Sequence, residues 1–138
     1  MKYESEAKIE ASPDAVWSVL IDGENYTSWD SGVTKFEGAI APGSTVKVFS
    51  EVAPDRAFPV KVVELEPNRK MTWQSGVPLG LFKGRRTFTL EPEASGTRFH
   101  MHEKFSGLLL PIIGRTIPDL QPTFDKFTSG LKAGAEPS

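Results

Sequence analysis

The chain predicts an α+β domain in which about seven antiparallel strands are interrupted by two short helices after the first strand and closed by a long helix at the end. Three observations carry this. Lys2 to Glu10 alternates charged and uncharged residues, Ser12 to Asp30 breaks into a helical period, and Thr34 to Phe105 returns to a two-residue period cut by proline and glycine turns.

The elements follow in order. On the first strand Lys2, Glu4, Glu6, Lys8 and Glu10 share the outer face, and Tyr3, Ser5, Ala7 and Ile9 the inner one. Ser12 is placed to cap a helix that begins at Pro13, with Asp14 favoured by the helix dipole and Val16, Trp17 and Leu20 on its apolar side. Asp22-Gly23 is expected to end it in a left-handed turn, and Asn25 to Trp29 reads as a second short helical piece stopped by Gly32. Thr34 to Ile40 is the second strand, and Ala41-Pro42-Gly43-Ser44 has the residues of a type II turn. Val46, Val48, Ser50 and Val52 share a face of the third strand, after which Pro54-Asp55 is expected to turn the chain.

Phe58 to Leu65 forms the fourth strand, with Phe58, Val60 and Val62 on one side, and Lys70 to Ser75 the fifth, with Met71 and Trp73. The sixth and seventh, Gly84 to Leu90 and Thr97 to Phe105, flank a connection over Glu91 to Gly96. Setting Leu90 opposite Thr97 brings Phe88 to Phe99 and Arg86 to Met101, so Arg86 and Glu103 become the two charges on an apolar inner face. Two connections are unusually apolar, Val77 to Phe82 and Gly107 to Gly114. Asp119 is read as the cap of the last helix, where Leu120, Phe124, Phe127 and Leu131 make a buried stripe; residues 134–138 are expected to be a flexible tail, leaving one domain over 1–133.

Composition narrows the function. A net charge of -2 with both signs interspersed offers no basic field for nucleic acid, and the absence of cysteine removes disulfides and thiolate chemistry. No apolar run approaches the roughly 20 residues of a membrane span, and the first ten residues lack a signal core, so the expectation is a soluble cytoplasmic protein. No nucleophile elbow, phosphate-binding glycine loop or zinc-protease motif occurs. His100 and His102 share one side of a strand but have no third ligand in view, so no metal and no cofactor is expected.

The succession S-P-D-A-V-W-S-V-L with Y-T-S-W-D, then V-V-E-L-E-P-N-R-K-M-T-W, T-F-T-L-E-P-E-A-S-G-T-R-F and E-K-F-S-G resembles bacterial members of the START and SRPBCC superfamily, in particular the polyketide cyclase/dehydrase and lipid-transport group. The resemblance implies a helix-grip fold, a curved antiparallel sheet around the last helix with a cavity between them. It implies no catalytic motif, because members differ in task.

The residues that would line such a cavity are Tyr3, Phe58, Trp73, Phe88, Phe99, Met101 and Phe124, with Tyr26 and Trp29 either at its mouth or in the core. Glu103 is the candidate for chemistry, as a ligand-orienting or acid/base carboxylate or, alternatively, as the ion-pair partner of Arg86. The expected partner is a hydrophobic or amphipathic small molecule, with a cyclase or dehydratase reaction as the alternative and a homodimer or partner-docking regulator as further readings. Lys83, Arg85 and Arg86 form a short basic cluster, read as a weak candidate for phosphate contact. The two apolar connections should fall at one end of the sheet, either as a gate over the cavity or as covers for each other.

Overall fold

The computed structural model describes residues 2–51, 53–77, 79–116 and 119–137. Seven antiparallel strands form one curled sheet in the order β1-β7-β6-β5-β4-β3-β2: β1 Lys2–Ile9, β2 Val33–Glu37, β3 Thr45–Ser50, β4 Ala53–Glu66, β5 Lys70–Val77, β6 Phe82–Glu93 and β7 Gly96–Ser106. Helix α1, Pro13–Leu20, and a 3-10 turn, Gly23–Ser28, carry the chain from one edge of the sheet to the other. A short α2, Leu110–Ile113, precedes α3, Gln121–Ala135, which packs chiefly on β1.

The local causes are those the sequence suggests, with specific departures. Ser12 Oγ accepts the Ala15 N–H at 3.2 Å and Val16, Trp17 and Leu20 are buried, but α1 closes through Ile21 in a right-handed conformation rather than a left-handed turn at Gly23. Gly43 has φ +77° and Ser44 N–H donates to Ala41 O at 3.0 Å, as a type II turn requires. β2 stops at Glu37 because Gly38 leaves the extended region at φ +105°. The turn expected at Pro54-Asp55 lies earlier: Ser50 pairs with Ala53, and both prolines of β4, Pro54 and Pro59, are inside the strand. A bulge between Val48 and Ser50 loosens the ladder near Pro54, so its missing N–H costs little. The predicted place of Val52 on β3 lies outside the described residues.

The β6–β7 register differs from the expected one by two residues. Glu93 pairs with Gly96 across only Ala94 and Ser95, so Leu90 faces Phe99, Phe88 faces Met101 and Arg86 faces Glu103. A shift of two preserves the pleat, so the same residues stay on the inner face. Asp119 does not occupy the cap position of α3, which is Leu120; its Oδ1 accepts the N–H of Gln121, the first helical residue, at 3.1 Å. The helix continues through Gly134 and Ala135, and Glu136 Oε2 accepts the Glu10 N–H at 2.7 Å.

Phe124, Phe127 and Leu131 of α3 join Ile9, Leu20, Phe36, Val46, Val62, Met71 and Leu90 in one buried core. Gly130 lets the loop after the 3-10 turn touch the helix: a Cβ there would stand 2.2 Å from Asp30 O. Gly130→Ala should therefore reverse the usual gain of about 1 kcal/mol for Gly to Ala in a helix and instead lower stability by roughly 1–3 kcal/mol. Urea unfolding measures the sign.

Candidate functional site

One cross-strand row of the inner face contains the polar chemistry. Val62 pairs with Trp73, Trp73 with Arg86, Arg86 with Glu103 and Glu103 with Tyr3, so β4, β5, β6, β7 and β1 each contribute one residue. Arg86 Nε donates to Glu103 Oε1 at 2.6 Å, with side chains 25% and 9% exposed respectively. The guanidinium carbon lies 4.6 Å from the centroid of Phe124 on α3, a cation–π contact, and Phe124 in turn touches Tyr3 at 5.9 Å between centroids. Among the described residues no acceptor is bonded to the two terminal amino groups of Arg86.

On one side of this row the interior is solid. Trp73 and Phe88 meet edge to face at 4.8 Å, Phe88 and Phe99 lie 6.5 Å apart, and Met101, Phe124 and Tyr26 are buried among them. Tyr26 is a core residue rather than a residue of the mouth. Its ring packs at 5.3–5.5 Å on Trp29, Phe36 and Phe127, and its hydroxyl donates to Leu20 O. Burial, partly opposed by the positive charge of Arg86, holds that hydroxyl well above its ordinary ionisation range. The indole N–H of Trp73 is buried without a partner among the described residues, as is that of Trp29.

Toward the other edge the inner face is only partly covered: Phe36, Val46 and Val62 are buried, but not their neighbours. α3 lies on β1, so Val48, Val60 and Ser75 remain half-buried, and Phe58, 40% exposed, stands apart from the aromatic interior with Arg56 above its ring at 5.5 Å. These residues make a partly exposed apolar strip on β3 and β4, on the same face as Trp73 and Arg86.

The basic cluster is divided by the pleat. Arg86 points inward, while Arg85 and Lys83 face outward, where Arg85 pairs with Lys104 and Lys104 with Lys2. Sequence reasoning grouped the three by proximity; alternation along β6 was the signal that separates them. His100 and His102 lie 5.4 Å apart on the same outer face, His100 Nε2 is 3.1 Å from Glu4 Oε2, and no group of three metal-ligating side chains occurs among the described residues.

The two apolar connections meet at one end of the sheet. Leu108 N–H donates to Gly80 O at 3.1 Å and Leu109 N–H to Leu81 O at 2.8 Å. Leu81, Phe82, Leu109 and Leu110 are half-buried there, but three aliphatic side chains stay uncovered: Leu79 is 89% exposed, Leu108 79% and Ile112 69%. Leu79 also has φ +66°, a left-handed conformation that costs a residue with a Cβ roughly 1–2 kcal/mol.

The order of strands and helices and the geometry of this inner face define a helix-grip domain. The chain belongs to the polyketide cyclase/dehydrase and lipid transport family, whose model matches residues 1–136. No functionally curated protein matches it in sequence. Among solved structures it is similar to protein MLL2253 from Mesorhizobium loti, with 19% identity and a TM-score of 0.75 over 97% of this chain and 96% of that one. The Aha1 protein of Colwellia psychrerythraea, solved as a dimer, has 20% identity and a TM-score of 0.72 over 99% and 96%. The di-domain aromatase/cyclase BexL of the BE-7585A biosynthetic pathway has 11% identity and a TM-score of 0.75; this chain is covered fully and accounts for 50% of that one. At these identities the likeness is one of fold. No helix among the described residues is long and apolar enough to cross a membrane.

Two predictions test the site. Arg86→Met strands a carboxylate that is 9% exposed and should cost roughly 2–3 kcal/mol, less than a fully buried pair because Arg86 is a quarter exposed. Adding Glu103→Leu should recover most of that loss in urea unfolding, since both charges are then gone. Tyr26→Phe removes the bond to Leu20 O and should cost about 1 kcal/mol at neutral pH. Because the folded hydroxyl ionises above its unfolded value of about 10, Tyr26's contribution is fully present below that pH and drains as pH rises past it. The stability difference between wild type and Tyr26→Phe should therefore narrow in alkali.

Proposed function

We propose that the protein is a carrier for an amphipathic small molecule, held with its apolar body along the partly exposed Val48, Phe58 and Val60 and its polar end at Arg86. The observation that carries this reading is a guanidinium set between Trp73 and Glu103 on an inner face, against the Phe124 ring, that gives only its Nε to Glu103. Its terminal amino groups, together with the unpartnered indole N–H of Trp73, are donors suited to a carboxylate, carbonyl or hydroxyl oxygen of the ligand. Family membership supports the class of ligand. Glu103 serves in this reading as the counter-ion that fixes the guanidinium against Phe124, which favours orientation of a ligand over proton transfer.

Native mass spectrometry of freshly purified protein should show the polypeptide plus a co-purifying small molecule that organic extraction removes. Arg86→Met should lose that adduct, and Glu103→Gln should retain it at reduced occupancy. A protein that purifies bare and takes up no apolar fluorescent probe overturns the carrier. Turnover of a bound compound that is abolished by Glu103→Gln while binding persists would replace it with acid/base catalysis.

A further inference from the structure

The exposed aliphatic tip and the outward cations lie at the same end of the sheet. Lys83 pairs with Ser106 on the last rung before Leu81 and Leu108, and one outer-face rung further along, Lys61, Gln74, Arg85, Lys104 and Lys2 succeed one another across five strands. Like charges placed opposite each other weaken a sheet. Lys61, Lys83, Arg85 and Lys104 are exposed, and none is in an ion pair among the described residues. The nearby carboxylates are otherwise engaged: Glu4 with Lys2 and His100, Glu64 with Lys70 at 2.8 Å. Arg115, also exposed, follows α2. A chain of net charge -2 thus concentrates uncompensated positive charge around three projecting aliphatic side chains.

We infer that this end of the molecule docks on an anionic lipid bilayer, with Leu79, Leu108 and Ile112 entering the headgroup boundary and Lys83, Arg85, Lys104 and Arg115 facing the lipid phosphates. Folding does not explain the tip. Leu79 accepts a left-handed backbone and then leaves its side chain in water, so both choices work against stability. Separate protruding aliphatics beside a broad cationic field suit a fluid hydrocarbon surface that needs no fixed partner. A second copy of the chain fits poorly, because twofold symmetry would set these cations against one another. The depression among Lys83, Arg85, Thr87, His102, Lys104 and Ser106 is about half open to solvent, unlike an enclosed site for a free anion. The inference stands whether or not a ligand occupies the inner face.

The test is co-sedimentation of the full chain with vesicles of equal parts phosphatidylglycerol and phosphatidylcholine, against phosphatidylcholine alone. Wild type should pellet with the first and remain in solution with the second. Lys83→Glu with Arg85→Glu and Lys104→Glu should weaken binding by roughly thirtyfold or more. Leu79→Asn with Leu108→Asn should weaken it by roughly tenfold or more, with no loss of fold because asparagine tolerates the left-handed conformation. Unchanged urea midpoints for both variants separate docking from folding. The inference is overturned by wild type that ignores anionic vesicles, by equal pelleting with both lipids, or by either variant binding like wild type. Release by inorganic phosphate at matched ionic strength would assign the cations to a discrete anion site and likewise overturn it, as would a dimer dissolved by Leu108→Asn in protein that binds no vesicles.

Discussion

The two-residue turn at Ala94 and Ser95 fixes the register of β6 on β7, and almost everything of chemical interest hangs on that register. It sets Arg86 directly opposite Glu103, so two charges that would each be costly on an apolar face neutralise one another at hydrogen-bond distance. A slip of one residue between the strands would set Arg86 opposite His102 or Lys104 and turn Glu103 to the outer face, leaving the inward guanidinium without its carboxylate. The pairing is therefore enforced twice, by the turn and by the penalty for its alternative. The same pleat that directs Arg86 inward directs its neighbour Arg85 to the opposite surface, so adjacent cations serve environments that never meet.

Much of this was legible in the chain. Ser12 and Pro13 announce α1, Pro42-Gly43 announces its turn, and the alternation of Phe88 with Leu90 and of Phe99 with Met101 assigns the inner face correctly even though the pairing is displaced by two residues. Alternation reports the face and not the partner, since every even shift satisfies it. Pro54 in β4 misled for a related reason. Pro54 reads as a turn, yet it lies in an irregularity of β4 itself, where Ala53 to Phe58 oppose only Ser50 to Val48, so its N–H has no ladder partner to lose, and bulges leave no local mark in sequence. The role of Tyr26 was undecidable locally, because two of the rings that enclose it, Trp73 on β5 and Phe127 on α3, come from elements distant in sequence.

The cavity that the family resemblance implies takes a different form in this chain. Aromatic side chains from β5, β6, β7 and α3 interlock behind the Arg86 row, and accessible apolar surface is displaced to the side that α3 leaves bare. Interiors of this density resist small changes in volume. How much of the inner face stays exposed is thus set by where the helix lies across the sheet, and that placement rests on a few tethers: Lys126 to Glu51 and Asp30, Gln121 to β1, and Gly130 against the loop after the 3-10 turn.

Those tethers have a second consequence. β1 is a terminal strand of the sheet, and its outer backbone groups would be a template for pairing with any extended peptide. Gln121 Nε2 donates to Glu4 O at 2.7 Å, Lys132 Nζ donates to Lys8 O at 2.9 Å, and Glu136 accepts from the Glu10 N–H just beyond the strand. The helix therefore works as a surrogate strand, using its own side chains to occupy two acceptors of an edge it cannot join. Swapping of β1 between molecules, or growth of the sheet into a polymer, would first require α3 to lift away along most of its length.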